Sequence, residues 1–309
     1  NDKGYIIEAE KPIYVSVRLQ SQAQAGAIVS KGGAALSDSF LFGGFVNVNP
    51  ITVEYNNFFS VMAIEDDTEV TVEFPKGVAL SNYRGTYPVS FKLGKNESFV
   101  GILEAVNDPN NIDGLIGGKL TSTKDVAVIS GSTTGTNGTG SGHDYGIDQL
   151  VGTENAGEEF IFIRGESPKT VGVNPYYSIE NIVLVPLVAG TTYVANNGPV
   201  TPITGDYAVI EGDAYNNNDN MYVVTSDPVM AFQVIGGVPR QPNNPEPNQG
   251  MFVVPPLNCT SKGEINNIPF INRIGPTNPQ NGGIGIVAET GNDVFLNGSL
   301  LNGAQSTEN

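Results

Sequence analysis

The reading of the fold turns on Gly118-Lys-Leu-Thr-Ser-Thr-Lys-Asp-Val-Ala-Val-Ile-Ser-Gly131. Two β-rich runs flank a polar centre at Lys124-Asp125. The same pattern occurs in Gly4-Tyr-Ile-Ile-Glu-Ala-Glu-Lys-Pro-Ile-Tyr-Val-Ser-Val17 and in Met221-Tyr-Val-Val-Thr-Ser-Asp-Pro-Val-Met-Ala-Phe232. The centres fall at Pro12, Asp125 and Pro228, a period of about a hundred residues. Each copy reads as a hairpin whose centre pre-sets φ and whose flanks bury one alternating face.

Working outward, a second hairpin repeats out of phase with the first. Its copies are Val61-Met-Ala-Ile-Glu-Asp-Asp-Thr-Glu-Val-Thr-Val72, Val183-Leu-Val-Pro-Leu-Val-Ala-Gly-Thr-Thr-Tyr-Val194 and Gly285-Ile-Val-Ala-Glu-Thr-Gly-Asn-Asp-Val-Phe295. A looser third element follows each first hairpin, over residues 25–46, 145–165 and 250–271. Other strand candidates are 13–17, 59–64, 69–74, 126–129, 160–163, 182–188, 221–224, 251–254 and 284–288. Helical periodicity is almost absent. The expectation is an all-β protein of short antiparallel strands, one continuous repeat region over 1–309. Its units are about 4–117, 118–220 and 221–309. A propeller-like ring is preferred to tandem β-sandwiches, because no proline-rich linker separates the copies.

Composition narrows the function. The 309 residues carry a net charge of −17, with one histidine, one cysteine and no tryptophan. Thirty-two acids against 15 bases argue against a nucleic-acid surface. No apolar run is long enough to span a bilayer. One histidine and one cysteine cannot build a zinc cluster or a disulfide framework. The opening Asn1-Asp2-Lys3-Gly4 has no methionine and no signal-peptide core, so a piece of a longer exported protein is expected.

Two loops stand out. Residues 131–142 are glycine-, threonine- and serine-rich, and 236–250 are interrupted by prolines. Both follow equivalent hairpins, so both are expected on equivalent rims, as one working face. The first loop lacks the Gly-Lys-Ser/Thr ending of a phosphate cradle. His143 and Asp144 stand at its exit as candidate polar contacts, with Tyr145, Tyr215 and Arg240 as candidate anchors. Asp108, Asn110 and Asp113 offer oxygens to calcium, the single cofactor the sequence leaves open, although the position-12 glutamate of an EF-hand is missing. Cys259 has no partner in the chain and reads as a small buried residue.

The repeats resemble a known family. The run Asp113 to Gly131, His143-Asp-Tyr-Gly-Ile-Asp-Gln-Leu150 and Gly157-Glu-Glu-Phe-Ile-Phe-Ile163 are similar to the N-terminal domain of IgGFc-binding-protein-like proteins. Lys124-Asp125 stands where that family has Lys-Pro, while Asp227-Pro228 keeps the proline. Asp148-Gln149-Leu150 stands for Glu-Gln-Leu, and His143-Asp144 is in reversed order. Residues 24–32, 145–151 and 248–259 look like versions in type IX-secreted, gliding-motility-associated surface proteins of flavobacteria-like bacteria. The resemblance implies display at the bacterial cell surface and adhesion or ligand binding. It carries over no Fc-contacting residue.

The reading is a non-enzymatic extracellular binding or adhesion module. Its partner is an extracellular protein or glycan, with no nucleic acid and no membrane span. The alternatives are a secreted glycan-active enzyme using paired carboxylates and a purely structural spacer or filament subunit.

Overall fold

The computed structural model describes residues 5–21, 24–47, 56–134, 137, 144–165, 180–236, 250–258, 263–265, 268, 273–274, 278–279, 284–303 and 307. A short hairpin comes first, β1 (Ser16–Ser21) with β2 (Gln24–Val29). Seven strands follow: β3 (Leu36–Leu41), β4 (Asn56–Ala63), β5 (Thr68–Glu73), β6 (Val89–Leu93), β7 (Ser98–Glu104), β8 (Lys119–Ser132) and β9 (Gly146–Gln149). Seven more repeat them: β10 (Gly157–Ile163), β11 (Glu180–Pro186), β12 (Thr192–Ala195), β13 (Thr201–Pro202), β14 (Ala208–Ile210), β15 (Asn220–Ile235) and β16 (Gly250–Val254). Two small pairs close the list: β17 (Arg273–Ile274) with β18 (Asn278–Pro279), and β19 (Phe295–Leu296) with β20 (Ser299–Leu300).

The two sevens have one topology. The first sheet runs β6-β5-β8-β4-β7, with β3 and β9 also on β8. The second runs β13-β12-β15-β11-β14, with β10 and β16 also on β15. Every pairing is antiparallel, so the protein is all-β as expected. Four-stranded blades, the unit of a propeller, are not seen among the described residues; each sheet instead curls about one long strand. The strands group as 36–149 and 157–254, whereas sequence spacing grouped them as 4–117 and 118–220. In each group the long strand lies near the end of its sheet.

That long strand corrects the first-hairpin expectation. Lys124-Asp125 and Asp227-Pro228 are not turns; each lies inside one strand of 14 or 16 residues. The first half of β8 pairs with β5 (Val72 opposite Leu120), and the second half with β4 (Val61 opposite Val128). The other edge takes β3 along its length and then β9. The strand changes neighbours at the polar centre, and β3 slips register there between Ser37 and Ser39. Side chains hold the crossing: Ser122 Oγ donates to Lys124 O at 2.8 Å, and Thr225 Oγ1 to Asp227 O at 2.8 Å. At such an irregularity a proline forfeits no ladder bond, which is why Pro228 is tolerated in a central strand.

The second expected hairpin is not one. β4 and β5 do not pair with each other but follow one another in the same direction along one edge of β8, as β11 and β12 do along β15. Residues 284–294 form no strand. The link between the two strands passes through Asp67 or Gly190, and the matching turn in the third copy through Gly291, at positive φ of 57°, 88° and 92°. Left-handed geometry lets the chain bulge outward and rejoin the same edge within a few residues, so glycine serves twice and aspartate once. Thr68 and Thr191 close the first two copies by donating Oγ1 to Glu65 O and Val188 O.

Alternation sorts the core. In β4 every second residue is buried, Phe59, Val61 and Ala63 among them. Its counterpart β11 is buried on both faces. Ile182 and Leu184 face their own core with Phe160 and Phe162, whereas Val183 and Val185 join the core of the first sheet. Met230, Phe232 and Val234 of β15 join them there. The two sheets therefore share one apolar interface. Its tightest point is Gly43, where a Cβ would stand 2.4 Å from Phe232 Cγ. At the other side, the Tyr207 hydroxyl donates to Asp113, and the combination of burial and that carboxylate holds the phenol far above its ordinary pKa.

Phe232→Ala is expected to cost about 3–5 kcal/mol in urea unfolding, the range for an emptied aromatic core site. Gly43→Val is expected to destabilise too, because a branched side chain cannot share space with that ring. Losses under about 0.5 kcal/mol for both would contradict the shared interface.

Candidate functional site

The closing hairpins of successive units lie side by side, with β2 against β9 and β9 against β16. The register aligns them: Gly26, Gly146 and Gly250 pair with Leu19, Ser132 and Ile235 at matching positions. Along this row the backbones approach closely. Tyr145 N donates to Ala25 O at 3.1 Å, Ala25 N donates to Asp144 Oδ1 at 2.6 Å, and a Cβ on Gly26 would meet Tyr145 Cβ at 2.7 Å.

Asp148 ties three units together. Its Oδ2 accepts from Val253 N of β16 at 2.8 Å and lies 2.6 Å from Lys31 Nζ, just past β2. Its Oδ1 accepts from Gln149 N at 2.8 Å. Lys31 also donates Nζ to Gln149 O at 2.6 Å and its backbone N to Gln149 Oε1 at 2.8 Å. The Asp148 side chain is 7% exposed and that of Lys31 24%. Burial pushes the Asp148 carboxyl above the ordinary carboxylate range, against the opposing pull of Lys31 and of the two backbone donors.

The segments joining β8 to β9 and β15 to β16 leave this row at equivalent positions, whereas β1 and β2 are joined by only residues 22–23. Asn137 bridges their bases: its N donates to Gly236 O at 3.3 Å and its Nδ2 to Val234 O at 3.2 Å. The two long loops of the sequence analysis thus spring from neighbouring points on one edge.

The single residues proposed from sequence fare differently. His143, Arg240 and Cys259 lie outside the described residues. Asp144 is buried and serves the seam through Ala25, and Tyr145 is half-buried beside it. Tyr215 is 7% exposed, a core residue of the second sheet rather than a loop anchor. Arg164 Cζ sits 4.5 Å from its ring centroid, Arg164 Nη2 donates to Gly212 O at 2.5 Å, and Arg164 Nε lies 3.2 Å from Asp219 Oδ1. Beside them buried Glu180 accepts from Gly165 N and Gln233 Nε2, both at 2.6 Å. Burial first, and then the Glu180 charge, push the Tyr215 phenol up, with Arg164 opposing.

The calcium candidates are engaged by protein groups. Asp108 Oδ1 caps a 3-10 turn by accepting from Asn110 N at 2.9 Å, and Asn110 Nδ2 donates to Gly77 O at 2.9 Å. The Asp113 carboxylate holds Lys76 Nζ at 2.5 Å and the Tyr207 hydroxyl. Among the described residues no group of three or more His, Cys, Asp or Glu is placed to hold a metal. Among the described residues no helix is long and apolar enough to cross a membrane.

Duplicated β-sheets with paired loops along one edge have the make-up of a binding scaffold. The chain belongs to the family described as IgGFc binding protein, whose model matches residues 32–309, and that family is one of binding modules. The match begins just after β2. Among curated proteins none matches. One solved structure, a GH2 beta-galacturonidase from Eisenbergiella tayi bound to galacturonate, is similar at 11% identity over 79% of this chain and 43% of that chain, with a TM-score of 0.16. A likeness that low carries no argument about fold or activity.

Sequence reasoning missed Lys31 and the joint at Asp148. The Asp-Gln-Leu motif was in view, yet its partners lie over a hundred residues away on both sides. Because its folded pKa is raised, Asp148 contributes stability that is full below the ordinary carboxylate pKa and is lost as pH rises through the folded value. Lys31→Met removes the compensating charge and drives that pKa higher. The variant is expected to match wild type near about pH 4 and to fall about 2 kcal/mol below it at about pH 7, less than for a fully buried pair. Urea midpoints across this range check it; an offset that stays constant with pH would contradict the ion pair.

Proposed function

We propose that the protein is an extracellular binding module, displayed on a bacterial surface, that engages a protein or glycan through the two loops at residues 131–142 and 236–250. The observation that carries this reading is their common origin: both leave the same edge, and Asn137 joins their bases. Scaffold-held loops are the usual carriers of recognition, because the rigid sheet beneath removes part of the ordering cost of binding. Membership in the IgGFc binding protein family supports binding rather than catalysis. The charge of −17 fits a solvated exported surface and favours a partner with basic or neutral character. The type IX-secreted, gliding-associated setting that the sequence resembles belongs to the same proposal. Arg240 and His143 remain the candidate contacts; Tyr145 supports the loop base.

The experiment is binding of the purified chain to glycan arrays and to whole host and bacterial cells. Replacing residues 133–141 or 238–248 by a short Gly-Ser link is expected to abolish capture while leaving the melting temperature within about 2 °C of wild type. Capture that survives both replacements would overturn the assignment. Chelator is expected to change neither capture nor melting, since Lys76 already neutralises Asp113; a large fall in melting temperature would instead place a structural calcium in the protein.

A further inference from the structure

We propose that residues 80–88 form a second binding site, which stacks a neutral pyranose of a glycan on the Tyr83 and Tyr87 rings while Arg84 donates to its hydroxyls. The segment is particular to the first unit. It belongs to the link of residues 74–88 from β5 to β6, whereas the matching link from β12 to β13 is only residues 196–200 and holds no aromatic residue. It lies beyond β6 and β7, on the side of β8 away from β9, and so apart from the loop that joins β8 to β9.

The segment is ordered by its own side chains. Ser81 N donates to Ile102 O at 2.9 Å, Asn82 Nδ2 donates to Val100 O at 2.5 Å, and Ile102 N donates to Asn82 Oδ1 at 3.2 Å, which covers the outer edge of β7. On β6, Ser90 N donates to the Tyr83 hydroxyl at 3.4 Å. Tyr83 donates in turn to Thr86 O at 3.3 Å, and the Tyr87 hydroxyl accepts from Leu80 N at 2.7 Å. Gly85 lies flat against Tyr83, where a Cβ would stand 2.2 Å from the hydroxyl oxygen. Closing the sheet explains Asn82 and the two hydroxyls. It explains neither the Tyr87 side chain, left 46% exposed, nor Arg84, which is exposed and makes no hydrogen bond or ion pair among the described residues.

These outward groups select a partner by their chemistry. The Tyr83 and Tyr87 rings meet edge to face with centroids 6.0 Å apart, and Tyr83 continues edge-on to Phe99, which stacks on Phe91 at 4.1 Å. With its hydroxyl tied down, Tyr87 offers an apolar ring at little further cost in side-chain entropy. A pyranose has the complement: an apolar C–H face and a rim of hydroxyls that the guanidinium donors of Arg84 can reach. Charge narrows the class. The net −17 repels a polyanionic glycan, and Arg84 repels a cationic peptide. Two rings hold a sugar weakly, at about millimolar Kd. The site therefore adds to the hold of the two loops and does not retain a glycan or a cell alone.

The test is NMR titration of the whole chain with neutral hexasaccharides of glucose, mannose, galactose and xylose, and with a hyaluronan hexasaccharide as the acidic comparator. At least one neutral sugar is expected to shift the amides of residues 82–87 with a Kd of about 1–10 mM. The shifts should persist when residues 133–141 or 238–248 are replaced, which separates this site from the loops. Tyr87→Ala should weaken binding at least about tenfold and Arg84→Ala about fivefold, while Tyr87→Phe, which lacks the same hydroxyl but keeps the ring, should stay within about twofold. Absence of shifts at residues 82–87 with every neutral sugar up to about 50 mM overturns the proposal. So does tighter binding of hyaluronan, or a loss in Tyr87→Phe equal to that in Tyr87→Ala, which would leave only the structural bond to Leu80.

Discussion

A β-strand buried in the middle of a sheet must satisfy hydrogen-bonding groups on both of its edges, and in this protein that demand falls on two unusually long strands. Each of β8 and β15 serves four neighbours, taking one pair on one edge and another pair on the other. Leaving those amides unpaired in an apolar core would cost more than most side-chain contacts return. The bend at Lys124-Asp125 and Asp227-Pro228, the register slips in β3 and β10, and the curl of each sheet are the geometric consequences. The phenylalanine-rich cores fill the space the curl encloses.

The same demand acts between units. Because β11 and the second half of β15 are apolar on both faces, the second sheet cannot stand alone without exposing Val183, Met230 and Phe232. Stacking on the first sheet buries them. The polar contacts of the seam then fix the stagger: Asp148 reaches back to Lys31 and forward to Val253, and each partner is a single well-placed donor. Apolar burial supplies the stability of the stack, and the buried carboxylate supplies its register, at some energetic cost that rises with pH. A row of hairpins locked in this way can present loops from one edge without those loops having to hold the scaffold.

Much of the fold was legible because alternation is a local signal. The strands at 59–64, 69–74 and 160–163 and the turn at 65–68 follow from period-two patterning and turn chemistry. The Lys-Asp and Asp-Pro centres misled for the same reason: locally they are turn signals, and only the slipped neighbours β3 and β10 make them a passable bend. The strand expected at 284–288, and the part of 13–17 before Ser16, show the opposite limit, since pattern alone makes no strand where no partner lies alongside. At the site, the loops and their shared edge could be read from the repeats. Tyr215 could not, because a tyrosine beside a run of asparagines looks exposed until Arg164 and the second core close over it. Nor could the Lys31–Asp148 pair, whose partners come together only through stacking.

The most direct test is amide hydrogen exchange on a dilute sample. Residues 126–132 and 229–235, paired on both edges, should be the slowest to exchange, at the free energy of global unfolding. Residues 6–15, which carry the same sequence pattern without neighbours, should exchange orders of magnitude faster. Strong protection of residues 6–15 in the monomer, comparable to that of 119–132, would contradict the claim that edge pairing decides which of these repeats becomes ordered.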